Sequence, residues 1–162
     1  MPELSLKGRA LRLLSGREHS RAELERKLKT HESAPGLLGK ALDELQARGF
    51  INQQRVVESV LHRKSAKLGA TRIKQELQSK GLDPEVVKDA LTSLQATELE
   101  RARAVWRKKF GLPYLAANVS PQAVSAMERG KQMRFLASRG FGTDTIRRVI
   151  AGAPDDQESM AD

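Results

Sequence analysis

The side chains that could carry out catalysis are few, and their spacing does not suit it. The three histidines, His19, His31 and His62, have neither a second histidine at i+4 nor a nearby carboxylate at a metal-ligand spacing. The chain contains no cysteine, which excludes thiolate nucleophiles, disulfides and zinc ribbons. The sequence therefore predicts no metal site and no cofactor.

Two other kinds of catalytic motif are also missing. The segment Gly36-Leu37-Leu38-Gly39-Lys40 resembles a phosphate-binding loop, but that loop needs about four residues between its glycines and a hydroxyl residue after the lysine, where this chain has Ala41. No serine lies in a glycine-flanked nucleophile elbow. Neighbouring carboxylates such as Asp43 and Glu44 fall on polar helix faces. We therefore expect a protein that is not an enzyme.

Cationic side chains are the groups that the sequence does supply in number. The net charge is +9, and such an excess of Lys and Arg attracts phosphate-rich or acidic partners. The simpler interpretation is that the charge only aids solubility. Clusters along helices nevertheless provide cationic donors without base-reading geometry. The residues predicted to contact a partner or DNA are Arg63, Lys64, Lys67, Arg72, Lys74, Arg107, Lys108, Lys109, Arg129, Lys131, Arg134 and Arg139.

Helices are the elements predicted to position these cations. Only 4% of the residues are aromatic, so the core must be built from Leu, Val, Ile and Ala, and these recur at helical spacing along nine segments. Ser20-Arg21-Ala22-Glu23 fits a capping box, Asn52 is a candidate N-cap, and Asp83-Pro84-Glu85 is a strong helix start. Thr97 to Phe110 is the seventh predicted helix. Ser120-Pro121 is predicted to begin the eighth, which continues to Leu136.

The chain also matches itself at fixed offsets. Leu28, Leu77 and Leu136 occupy matching positions, at successive offsets of 49 and 59 residues, and Ala41 to Ala47 aligns with Ala90 to Ala96 at the first offset. Chance matches among common Leu and Ala residues are the alternative. The persistence of the offsets favours an all-α fold of three tandem three-helix repeats, packed into an elongated, curved body.

The predicted repeats span residues 1–50, 51–95 and 96–151, and an acidic, disordered tail spans residues 152–162. Leu77 belongs to the apolar seam between repeats, whereas Lys80, in the same segment as Arg72 and Lys74, is predicted to face a partner. Trp106 and Tyr114 could stack on bases, but Trp106 matches an apolar repeat position and is expected in the core.

Four segments, taken together and in order, resemble the bacterial RecX regulatory protein family. They are Ser20 to Leu28 (SRAELERKL), Leu68 to Gly81 with its Gly-Ala-Thr-Arg-Ile start, Lys80-Gly81-Leu82, and Arg134 to Phe141 (RFLASRGF). The resemblance covers nearly the whole chain. It departs at the fourth helix, where the family commonly has paired aspartates followed by Arg-Phe and this chain has Asn52-Gln53-Gln54-Arg55-Val56.

The resemblance implies a non-enzymatic regulator of the RecA recombinase in DNA repair, homologous recombination and the SOS response. Such a protein lies in the helical groove of the RecA filament on DNA and lowers its ATPase, strand-exchange and coprotease activities. The implied partners are the RecA filament and, more weakly, single-stranded and double-stranded DNA. The alternative is a direct DNA-binding or architectural protein, which would bind naked DNA with a steep salt dependence.

The location of the protein follows from two absences in the sequence. No run approaches the roughly 18 apolar residues that span a membrane, and the amino terminus lacks the apolar segment of a signal peptide. We expect a cytoplasmic monomer that does not contact a membrane.

Overall fold

The computed structural model describes residues 3–111 and 124–152, and over these residues the chain is helical and has no strand. The all-α prediction is confirmed. A 3-10 turn spans Lys29–His31, and a π-helical turn spans Arg107–Gly111. The α-helices of the described ranges are α1 (Leu6–Gly16), α2 (Arg21–Leu28), α3 (Leu37–Ala47), α4 (Gln53–Lys64), α5 (Ala70–Ser79), α6 (Pro84–Gln95), α7 (Glu98–Trp106), α8 (Ala126–Ser138) and α9 (Thr143–Ala151).

The chain divides into two compact units. The first comprises Met1–Leu61 and Glu76–Asp89, and the second comprises His62–Gln75 and Ala90–Asp162. The boundary falls within α4, α5 and α6, so the middle helices contribute residues to both units.

Leucines at helical spacing form the core of the first unit, and burial of each contributes about 1.5–3 kcal/mol. This core consists of Ala10, Leu24, Leu28, Leu38, Leu42, Leu45 and Ile51. Leu77 is also fully buried, as predicted. The core of the second unit consists of Ala102, Leu136, Phe141, Ile146 and Val149. Trp106 packs against that core and donates its Nε1–H to Gln132 Oε1 at 2.9 Å, which confirms its predicted place.

The helix starts show which local signals determined the fold. Both halves of the predicted capping box form: Ser20 Oγ accepts from the Glu23 N–H at 3.2 Å, and Glu23 Oε2 accepts from the Ser20 N–H at 2.8 Å. Asn52 Oδ1 caps α4 by accepting from the Arg55 N–H at 3.0 Å.

The predicted start of the eighth helix is wrong. Ser120-Pro121 lies outside the described residues, but the helix that contains Leu136 begins at Ala126. The reason is a second cap: Ser125 has an extended backbone, and its side chain accepts from the Glu128 N–H at 3.2 Å. The predictions for Tyr114 and for residues 153–162 also lie outside the described residues.

Gln53 and Arg55 link the start of α4 to neighbouring segments of the first unit. The Gln53 amide donates to Asp83 Oδ2 and accepts from the Asp83 N–H, both at 2.8 Å. A carboxylate at this position could accept but not donate. Arg55, which the chain keeps, donates to Glu18 at 2.9 Å and to the Gly49 carbonyl at 2.8 Å, so it ties α4 to the end of α3.

In the first unit the amino end of α2 meets the carboxyl end of α5. Ser20 Oγ donates to the Lys80 carbonyl at 2.5 Å, and Arg26 donates to the Ser79 carbonyl at 3.2 Å. Gly81 has φ +66° there. These donors satisfy carbonyls that a helix end would otherwise leave without a partner.

The prediction that Lys80 faces a partner is wrong. Its side chain is buried beside α2, where Nζ lies 2.9 Å from Glu23 Oε1. Arg17 donates to the same carboxylate at 3.1 Å. Burial alone would raise the pKa of Glu23, but hydrogen bonds from the Ser20 N–H, Lys80 and Arg17 outweigh it and lower the pKa to about 2.

The second unit contains a matching junction, in which the amino end of α5 meets the carboxyl end of α8. The Gly69 N–H donates to the Arg139 carbonyl at 2.8 Å, and the Thr71 N–H donates to the Gly140 carbonyl at 3.1 Å. Gly140 has φ +88°. A Cβ on Gly69 would overlap the backbone of Gly140 and Phe141. The two backbones can approach this closely only because neither glycine carries a side chain.

Both junctions use the same repeat positions. Ser20 and Gly69 match at the 49-residue offset, and Gly81 and Gly140 match at the 59-residue offset. Arg26 in one junction and Arg72 in the other donate to equivalent carbonyls, those of Ser79 and Ser138. The repeat therefore extends from sequence to the contacts between helices.

We expect Gly69→Ala to destabilise the protein by about 3 kcal/mol, because the methyl group overlaps fixed backbone and separates the two hydrogen bonds of the junction. Chemical denaturation followed by circular dichroism measures this. Gly39→Ala is the matched control, since a Cβ there meets nothing within 4 Å and Ala is the better helix former. Equal stability of the two variants would contradict the tight junction.

Glu23→Gln should cost about 3 kcal/mol at pH 7, because it leaves Lys80 buried without its anion. The Glu23 pKa falls from 4.5 to about 2 on folding, so its carboxylate stabilises the protein fully above pH 4.5, and this contribution is lost as the pH falls through about 2. Urea unfolding at several pH values should show the difference from wild type shrinking over that range.

The control for this experiment is Glu25→Gln on the same helix, whose exposed carboxylate pairs with Arg21. That variant should cost well under 1 kcal/mol. A Glu23→Gln penalty that stays constant from pH 7 to pH 2 would refute the role of the ionised carboxylate.

Candidate interaction surface

All twelve residues predicted to contact a partner belong to the second compact unit. Four of them, Lys67, Lys108, Lys109 and Arg139, line one concave surface with a volume of about 460 Å³. Its remaining lining is apolar: Ala66, Ala104, Val105 and Phe135. We call this concave surface the basic groove.

The junction between α5 and α8 helps to form the two sides of the basic groove. Lys67 lies two residues before Gly69, and the Gly69 N–H donates to the carbonyl of Arg139 itself. The same backbone hydrogen bond therefore brings the segment that carries Lys67 next to Arg139.

The π-helical turn at Arg107–Gly111 presents the two adjacent lysines. Over this turn Phe110 and Gly111 are buried, while Lys108 and Lys109 are exposed. A π turn contains more residues per turn than an α-helix and often occurs at functional positions. The turn buries Phe110 and leaves the side chains of Lys108 and Lys109 exposed, where they line the basic groove.

Phe135 holds two of the cations in place. Its ring meets the edge of Phe110 at 90° with 5.3 Å between the centroids. Arg139 Cζ lies 5.2 Å and Lys109 Nζ 6.0 Å from the centroid of the Phe135 ring. Cation–π attraction of about 0.5–1 kcal/mol each keeps these charges close to the apolar floor.

Arg101 is a positioning residue that the sequence did not reveal. Its guanidinium donates to the Ser65 carbonyl at 2.9 Å and to the Leu68 carbonyl at 2.7 Å, which fixes the segment carrying Ala66 and Lys67 against α7. Burial lowers the pKa of Arg101, and the nearby Glu98 carboxylate opposes that shift. Periodicity could not identify it, because a half-buried arginine that donates to carbonyls has the same sequence pattern as an arginine exposed on a helix surface.

Glu98 binds the start of α5, directly after the segment that Arg101 fixes. Its Oε1 accepts from the Ala70 N–H at 3.2 Å, and its Oε2 accepts from Thr145 Oγ1 at 3.4 Å. The carboxylate thus supplies an acceptor at the amino end of α5, where a helix leaves N–H groups without intrahelical partners.

The other predicted cations do not line the basic groove. Arg72 donates to the Ser138 carbonyl, and Arg129 donates to the Val124 carbonyl at 2.7 Å, so both bind the chain itself. Lys64 is half-buried. The exposed remainder consists of Arg63, Lys74, Arg107, Lys131 and Arg134.

The four cations of the basic groove have no carboxylate partner among the described residues. Within residues 3–111 and 124–152, none of Lys67, Lys108, Lys109 and Arg139 forms an ion pair with a carboxylate. Their charges can therefore be neutralised by an external anion. The same described ranges contain no group of three or more side chains that could hold a metal ion.

His19, the one buried histidine of the described chain, belongs to the fold of the first unit. Its Nδ1 lies 3.0 Å from the Arg17 carbonyl. Burial is the main cause that lowers the His19 pKa. A separate finding concerns the helices: none in the described part of the chain is both long enough and apolar enough to cross a bilayer.

Fold and surface together define a helical-repeat protein with a basic groove. Family models match the chain as "RecX, first three-helix domain" over residues 7–49, "RecX, second three-helix domain" over residues 52–91 and "RecX, third three-helix domain" over residues 120–150. The chain belongs to the RecX regulatory protein family.

Similar proteins support this assignment over more than 90% of the chain. The regulatory protein RecX of Leptothrix cholodnii is 50% identical over 149 residues, which cover 92% of this chain and 89% of that protein. That of Ralstonia nicotianae is 41% identical, covering 93% of this chain and 89% of the relative. The crystal structure of RecX from Lactobacillus salivarius has the same fold, with a TM-score of 0.71 at 24% identity over 91% of this chain and 93% of that one.

Proposed function

We propose that this protein regulates the RecA recombinase by binding the RecA filament on DNA. The observation that carries the proposal is membership of the RecX family over nearly the full chain. The four cations of the basic groove support it, because among the described residues no carboxylate neutralises them.

In this proposal the protein lies in the helical groove of the filament and lowers ATP hydrolysis, strand exchange and coprotease activity. It acts by binding, as a monomer in the cytoplasm, and its three repeats span residues 1–50, 51–95 and 96–151. Favourable electrostatics would accelerate its encounter with an anionic assembly of protein and nucleic acid.

A direct DNA-binding function is the second candidate. Exposed cations outside the basic groove, such as Lys74, Lys131 and Arg134, could contact phosphates. Affinity for naked DNA that falls steeply with salt and equals the affinity for the filament would favour this function over the first.

Substoichiometric protein added to RecA on single-stranded DNA should lower the rate of ATP hydrolysis. The double variant Lys108→Glu, Lys109→Glu should need about tenfold more protein for the same effect, because two attractions become repulsions worth about 1.4 kcal/mol together. A coupled ATPase assay measures both.

The control for this assay is Lys27→Glu, Lys40→Glu, which changes the net charge equally at exposed positions of the first unit. It should behave more like wild type than the groove variant does. Wild-type protein that leaves ATP hydrolysis unchanged while bound to the filament would refute the proposed function.

A further inference from the structure

We infer that the basic groove binds an acidic peptide segment of the protein partner, two or more carboxylates flanking one aliphatic side chain, and that it does not bind nucleic acid. This inference rests on the proposed function and deepens it, since it separates the cations that contact protein from those left to contact phosphates. It depends on the floor of the basic groove, the position of the Phe135 ring and the arrangement of the four cations.

The floor of the basic groove favours a peptide over a phosphate backbone. Ala66 and Ala104 are exposed and Val105 is half-buried, so apolar surface lies open between the cations. An aliphatic side chain placed there would be removed from water, at about 25 cal/mol per Å². A sugar-phosphate backbone has no comparable apolar group, and it would leave the floor unfilled.

Phe135 is poorly placed to stack on a base. Arg139 Cζ lies 5.2 Å and Lys109 Nζ 6.0 Å from the centroid of its ring, which also contacts Phe110 edge to face. Proteins that bind single strands use open aromatic faces as stacking platforms. A base that stacked on this ring would compete with cations that a phosphate would also need.

The four cations line the same concave surface as the apolar floor, where they could pair with carboxylates. Arg139 offers a planar guanidinium suited to bidentate contact with a carboxylate, and the three lysines are point charges on flexible stems. The volume of about 460 Å³ lies in the range of pockets that take small ligands, and is suited to a few residues rather than a duplex. An anchored aliphatic side chain with carboxylates on either side satisfies all of these features.

The decisive variant is Ala104→Lys, which covers the apolar floor while adding a positive charge. A site for phosphates should bind at least as well after this change. A site for an anchored acidic peptide should bind that peptide about tenfold or more weakly, because the new lysine covers the apolar surface on which the peptide's aliphatic side chain would pack. Ala137→Lys adds the same charge at an exposed position of α8 that does not line the basic groove.

Each variant is measured for binding to RecA filaments and to naked single-stranded and double-stranded DNA at the same salt concentration. We expect Ala104→Lys to weaken filament binding, and Ala137→Lys to leave it close to wild type. We expect neither variant to weaken binding to naked DNA. Circular dichroism melting confirms that both variants are folded.

Two synthetic peptides test the ligand chemistry without RecA. Amide chemical shifts of the isotope-labelled full chain are followed while Glu-Glu-Leu-Glu-Glu or its matched control Glu-Glu-Gly-Glu-Glu is added. The leucine peptide should shift residues around Ala66, Ala104 and Arg139 at lower concentration than the glycine peptide. Equal shifts from both peptides would overturn the apolar anchor.

The outcomes separate this inference from the proposed function. Filament regulation that survives Ala104→Lys, or a single-stranded oligonucleotide that shifts the groove residues in place of the leucine peptide, overturns the inference and leaves the proposed function standing. Loss of self-association in Ala104→Lys would make a second copy of the chain the occupant and also overturns it. Specific binding of the leucine peptide by a protein that does not affect RecA supports the groove chemistry and refutes the proposed function.

Discussion

The structure depends on one recurring contact between helix ends. The amino end of α2 meets the carboxyl end of α5, and the amino end of α5 meets the carboxyl end of α8. Helix ends leave N–H and carbonyl groups without intrahelical partners. At each junction, donors at the start of a helix in one repeat bind carbonyls at the end of a helix in the next repeat. Ser20 donates to the Lys80 carbonyl in the first unit, and Gly69 donates to the Arg139 carbonyl in the second. Such contacts link the units of a helical repeat without a large aromatic core.

The second junction also brings together the residues that line the basic groove. Lys67 and Arg139 come from segments about seventy residues apart in the chain, and the Gly69 hydrogen bond together with Arg101 holds them around one apolar floor. At the first junction, Lys80 occupies the repeat position that matches Arg139. It is buried beside Glu23, which neutralises its charge inside the protein. Lys80 thus supports the fold of the first unit, whereas Arg139, at the equivalent position of the second, forms no ion pair with any described carboxylate.

The sequence predicted the helices, the caps and the repeat because these depend on local signals: a serine three residues before a glutamate, a glycine after an apolar stripe, and leucines at fixed offsets. It placed Leu77 and Trp106 correctly for the same reason. It misplaced Lys80 and missed Arg101, since a charged side chain that binds groups distant in the sequence has the same local pattern as a solvated one. The start of α8 was misassigned because the sequence offers two candidate serine caps five residues apart, and local rules do not rank them.

Lysine-specific cross-linking of the protein to assembled RecA filaments, with the linked residues mapped by mass spectrometry, tests the central claim most directly. The account predicts that Lys67, Lys108 and Lys109, which share the basic groove, cross-link to RecA, whereas the exposed Lys27 and Lys40 of the first unit do so far less. Cross-links that occur at Lys27 and Lys40 while the three groove lysines stay unmodified would contradict it.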